Sequence, residues 1–216
     1  MQRSTSTSDE RGQAYTLEGF VSAMVVLMAL LFALQSVVIT PTTGGVGDRT
    51  VQAQLGQEAQ DALVVAATAN ESEGNLTEMV RYWDPAEEEF HNSSENSGTG
   101  YYKASNDTEL YNEFSLGKTL NERFTERGMS YNIELVYQDQ AGEFDDDHPY
   151  LVYQGESGAV TASYTVTLFE SDNLTAPGHE NTPIREAWED HEYPIPPSTG
   201  EDQPVYNVVE VRVSVW

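Results

Sequence analysis

The chain has 216 residues, 36 acidic and 10 basic, a formal net charge of −26 and no Cys. That charge repels polyphosphates and anionic membrane surfaces, so nucleic acid is not a partner, and thiol catalysis, disulfides and Cys-ligated metals are excluded. Self-repulsion on this scale opposes a compact state in dilute buffer. At molar salt the Debye length falls to about 3 Å and the repulsion is screened. The composition therefore points to a protein adapted to hypersaline water.

Residues 1–12, MQRSTSTSDERG, form a short Ser/Thr-rich arm. Residues 13–40 follow as a transmembrane or assembly helix. Its centre, Phe20 to Ile39, is interrupted only by Ser22, Gln35 and Ser36 and contains no charge, Pro or Gly. Twenty such residues would span about 30 Å, the hydrocarbon thickness of a bilayer. Arg3 and Arg11 on its near side favour a single pass with the N-terminus inside and the C-terminal domain outside. The run exceeds the apolar core of a cleaved secretory signal, and no A-x-A site follows it.

Arg11-Gly12-Gln13-Ala14-Tyr15-Thr16-Leu17-Glu18-Gly19-Phe20, running straight into this helix, resembles the class III signal of type IV pilins. The closer resemblance, over residues 11–43, is to uncharacterised pilin-like membrane proteins of haloarchaea, with the same YTLEGF entry, FALQSVVITPTT exit and acidic ectodomain. It implies a leader cut by a prepilin peptidase after Gly12 or Gln13, which makes Arg11, Gly12 and Gln13 the processing residues. A cut after Gln13 puts Glu18 at the fifth mature position, where in pilins a Glu meets the N-terminal amine of a neighbouring subunit. A carboxylate near the lipid boundary is costly unless so paired. Glu18 directly follows Leu17, so the FTLIE spacing of bacterial pilins is not reproduced.

Pro41 and the glycines of residues 41–48, PTTGGVGD, predict a hinge. An acidic α+β head over residues 49–216 follows. Asp48 can cap an amphipathic helix over about 49–69, with Val51, Leu55, Ala59, Leu63 and Ala66 on one face. A short helix is expected at 75–83, a surface loop at 84–108, and a helix at 107–127 with Leu110, Phe114, Leu120 and Phe124 inward. Period-two alternation predicts strands at 129–139, 160–169 and 205–215, with Val208 out of phase. The connection 171–204, including Pro-Ile-Pro-Pro and Trp188, reads as irregular and exposed. Helices first and strands later give an α+β fold: a long N-terminal hydrophobic helix, amphipathic helices and a C-terminal antiparallel sheet of about three or four strands, pilin-like in outline.

Five N-x-S/T sequons, at Asn70, Asn75, Asn92, Asn106 and Asn173, are candidate glycosylation sites. The four His residues form no H-E-x-x-H and read as solvated loop residues. Asp145-Asp146-Asp147 lacks the alternating oxygen spacing of a calcium loop. G-x-S-x-G and phosphate-binding loops are absent. No catalytic, cofactor or metal site emerges, so the chain is not read as an enzyme. The residues point to a pilin-like structural subunit or membrane-anchored surface protein of a halophilic archaeon, partnered by the lipid bilayer, by identical or related subunits and by a prepilin peptidase. The alternative is a non-polymerising, single-pass anchored protein that binds a ligand through its head; a tethered hydrolase has no motif behind it. Replacing Gly12 and Gln13 with bulky residues should block leader removal, seen as a slower-migrating unprocessed chain. Unchanged mobility would leave only a plain anchor.

Overall fold

Strands rich in Val with polar residues at alternate positions need one face covered, and the fold supplies that cover with a helix. The computed structural model describes residues 6–37, 43–93, 100–103, 108–144, 149–155, 160–190, 193–198 and 204–216; side chains are described at these positions except 6–16, 33–37, 43–48, 108–109 and 111. The chain forms two units, Met1–Arg49 and Thr50–Trp216. The first carries α1, Ser6–Val37. The second, from Thr50 onward, is the head, which takes in the core-forming part of α2, Thr43–Thr68.

The long membrane-crossing helix expected of a pilin-like architecture is corrected. Among the described residues no helix is long and apolar enough to cross a membrane. The fold is α+β with a four-stranded antiparallel sheet. The hinge expected at 41–48 lies partly outside the described residues, and from Thr43 the chain is helical. Glycines weaken a helix by about 1 kcal/mol each without forbidding it.

In the head, α3 (Leu76–Val80) starts at Asn75, whose side chain accepts from the Glu78 amide while Glu78 accepts from the Asn75 amide. That reciprocal cap sets the helix start. Strands β1 (Trp83–Asp84) and β2 (Glu89–Phe90) then form a small hairpin that takes Trp83 from the helix expected at 75–83 and otherwise lies in the stretch expected as loop. The single helix expected at 107–127 is two, α4 (Thr108–Glu113) and α5 (Ser115–Arg123). Phe114 between them is extended and buried, its ring edge-to-face with Tyr82 at 4.8 Å. The break is tight: a Cβ on Gly117 would lie 2.1 Å from the Leu110 carbonyl oxygen.

The main sheet has the order β4-β3-β6-β5, from β3 (Tyr131–Val136), β4 (Tyr150–Val152), β5 (Val160–Phe169) and β6 (Val205–Val215). β5 and β6 have the bounds that alternation predicts. On the inner face, Ile133, Leu135, Val166, Val209, Val211 and Val213 join Ala59, Ala62, Leu63 and Ala66 of α2 in one buried cluster. The outer face carries Glu134, Glu210, Arg212 and Ser214, with Arg212 bridging Glu134 at 3.1 Å and Glu210 at 3.5 Å.

The connection 171–204 is corrected as well. It includes α6 (Ile184–Glu189), and Leu174, Ala176, Ile184, Ala187, Tyr193 and Ile195 are all buried. Prolines deprive residues 193–198 of amide donors, so their carbonyls need donors from elsewhere. Side chains supply them. The Tyr206 hydroxyl donates to the Ile195 carbonyl at 2.7 Å, that of Tyr137 to Pro194 at 3.0 Å, and Asn207 Nδ2 to Pro196 at 2.7 Å. Tyr206 and Asn207 are consecutive and both buried because the β5–β6 register shifts beside them. Asn207 points inward in phase with Val209, Val208 points out, and the shift adds Tyr206 to the buried side.

Burial pushes the Tyr206 hydroxyl well above the ordinary phenol range, so it stays a donor. Its folded pKa exceeds its unfolded one, so its contribution is complete below about pH 10 and is lost as pH rises further. Tyr206→Phe should lower unfolding stability by about 1–3 kcal/mol, the cost of an unmatched buried acceptor. The same change should flatten the alkaline limb of a denaturation profile.

Candidate functional site

The sequence candidates are spread along the chain. Arg11, Gly12 and Gln13 lie in α1, with side chains outside the described set. Glu18 is exposed and is the sole ionisable side chain within residues 17–32. Around it the apolar side chains are bare: Phe20 is 65% exposed, Leu27 60% and Phe32 70%. Asn70 is exposed before a 3-10 turn at Glu71–Glu73. Asn75 is half-buried in its helix cap, and Asn92 is half-buried with a left-handed φ of 61°. Asn173 is half-buried, its carbonyl accepting from Arg81 Nη1 at 2.7 Å. Asn106 lies outside the described residues, as do the Asp145–Asp147 run, His148 and His191.

Two His residues read as solvated are instead half-buried ties. His91 Nδ1 lies 3.3 Å from one oxygen of Asp84, and His179 Nε2 lies 3.5 Å from the other. The Tyr102 hydroxyl donates to the His91 carbonyl, and the Tyr82 ring meets the imidazole edge-on at 5.3 Å. The imidazoles sit on opposite oxygens of one carboxylate, which ties the β1–β2 hairpin to the loop around His179. Among the described residues no group of three or more His, Cys, Asp or Glu side chains is disposed to hold a metal.

A cleft of about 560 Å³ opens on the outer face of the sheet, lined by Tyr101, Asn132, Glu134, Tyr150, Tyr153, Gly155 and Ser214. The Tyr153 ring touches both others, at 5.4 Å from Tyr101 and 4.8 Å from Tyr150. Asn132 fixes the wall at 153–155: its Nδ2 donates to the Gly155 carbonyl and its Oδ1 accepts from the Gln154 amide, both at 2.8 Å. Gln154 Nε2 donates in turn to the Tyr131 carbonyl at 2.8 Å. Tyr102 covers the edge of β4, donating its amide to Leu151 and accepting that of Tyr153. Strand β4 escaped the periodicity argument because three residues cannot display a period. Tyr150 within it and Tyr153 just after it therefore had no assigned face, and the only local hint was the spacing Tyr150-Leu151-Val152-Tyr153 opposite Tyr101-Tyr102.

Asn132→Ala removes both bonds to the wall. Amide exchange at Gln154 and Gly155 should quicken, and stability should fall by about 1–3 kcal/mol. Unaltered exchange would mean that the wall is set by other contacts.

No curated protein and no solved structure matches the chain. Residues 11–215 match one protein family, described as "Family of unknown function (DUF7288)". With almost its whole length matched, the chain belongs to this family.

Proposed function

We propose that the chain is a non-catalytic structural subunit that assembles with identical or related subunits through residues 17–32 and displays its acidic head at the outer face of the cell. The observation that carries this reading is that residues 17–32 are apolar on every side of the helix and exposed throughout. A helix of that kind is stable in water only when something apolar surrounds it. A bundle of like helices supplies such surroundings. Glu18 supports the same choice. Within a bundle its carboxylate needs a cation, and the amine freed by prepilin peptidase after Gly12 or Gln13 of a neighbour would supply one. Heads with so large a negative charge repel one another, so assembly belongs to the screened, hypersaline medium of a halophilic archaeon. Of the sequons among the described residues, Asn70 is the one whose exposure suits a glycan.

The full chain in molar KCl should sediment as a high-order species. Val26→Asp should reduce it to a monomer without changing the thermal unfolding of the head. A wild-type chain that enters lipid vesicles as a monomer would overturn this reading and favour the non-polymerising anchored binder. Loss of the large species at low salt, restored by added KCl, is the further expected result.

A further inference from the structure

We propose that the tyrosine-lined cleft on the outer face of the sheet binds a neutral oligosaccharide. Its volume of about 560 Å³ falls within the range of small-molecule sites, roughly 300–1,000 Å³. Tyr101, Tyr150 and Tyr153 give it apolar ring faces beside polar edges. Glu134 and Ser214 add a carboxylate and a hydroxyl on the sheet floor. A pyranose ring has the matching character, with C–H bonds on its faces and hydroxyls around its rim.

The geometry disfavours the competing ligand classes. The net charge of −26 repels anions, and Arg212, which pairs with Glu134 of the lining, is shared with Glu210. An aromatic cage for a methylated ammonium needs rings spaced around a point. Here the Tyr153 ring is in direct contact with the other two, at 4.8 and 5.4 Å, and no cation fits between them. A peptide adding as a strand needs a free edge. The edge of β4 is already covered by Tyr102, which bonds Leu151 and Tyr153. The rings stand at 74° and 53° to one another, and what suits such an angled wall is an uncharged, hydroxylated ring that stacks on one phenol face and turns its hydroxyls to the neighbouring polar groups. The wall is held before any ligand arrives, through Asn132 and Gln154, so little ordering remains to be done on binding.

The test is saturation-transfer NMR on the full chain, in molar KCl and a detergent without a sugar headgroup. The probes are maltohexaose, cellohexaose and mannohexaose, with an oligoproline peptide as control. Saturation should reach the ring C–H protons of at least one sugar. Tyr101→Ala and Tyr153→Ala should each weaken binding about tenfold, the loss expected for one stacked ring. Phe at either position should keep affinity within about threefold. No transfer to any sugar, transfer that survives both Ala changes, or transfer to the oligoproline alone would overturn the proposal. Should the Ala variants lose their fold, direct contacts between tyrosine ring protons and sugar protons in the unaltered chain decide it: their presence supports the site, and their absence overturns it.

Discussion

The head depends on one contact, the seating of α2 on the inner face of the valine-rich sheet. With no Cys, burial has to supply what disulfides supply in many small exported domains. The helix achieves it with very little side chain. Ala59, Ala62 and Ala66 are wholly buried beside Leu63, and a Cβ on Gly56 would come within 3.0 Å of Val160 Cγ1. Small residues bring the helix backbone close, so the bulk of the interface comes from the sheet. A larger residue on this line would push helix and sheet apart along its length, because interiors packed to crystal density have no slack to absorb it.

Scarcity of cations shapes the rest. The chain has 10 basic residues against 36 acids, and four arginines are placed at ties between separate segments. Arg81 reaches the Asn173 carbonyl, Arg127 pairs with Glu58, and Arg212 joins β6 to Glu134 of β3. Arg185 makes a two-pronged contact with Glu170, one prong at 2.6 Å, while its guanidinium lies over the Tyr206 ring at 5.9 Å. Each such pair at a surface is worth about 1 kcal/mol or less, and salt weakens it further. Their value is geometric: they fix which segments lie beside each other while the salt that screens the acidic surface relieves its repulsion.

The parts of this architecture that a sequence displays are those with a period. β5 and β6 carry alternation long enough to fix their ends, and the inward face of α2 follows from the spacing of Leu55, Ala59, Leu63 and Ala66, although Val51, expected on the same face, is exposed because the core begins beyond it. What escapes is whatever depends on partners distant in the chain. Phe114 breaks a helix because Tyr82 and the core receive its ring. Residues 193–198 look like an exposed loop until Tyr137, Tyr206 and Asn207 are seen to meet their carbonyls. Asp84 is unremarkable in sequence, yet it draws in His91 and His179. The cleft was illegible for the same reason, since Tyr101 is distant in the chain from Tyr150 and Tyr153, which begin and follow a strand too short to announce itself. For α1, the apolar character was plain in the residues.

The register shift beside Tyr206 and Asn207 bears on how the chain finds its native pairing. From Val209 to Val215 every second residue of β6 is Val, so sliding the strand by two positions would exchange one valine for the next and bury nearly the same apolar area. Hydrophobic burial alone would leave several alignments almost degenerate, the condition under which a sheet settles into a mixture. The extra residue removes that degeneracy. In one alignment alone do a phenol and an amide, neighbours in the chain, reach the carbonyls of Ile195, Pro196 and Gln138. Two polar side chains thus act as the index mark of an otherwise repetitive ruler, converting a search among equivalent positions into a choice with a single answer.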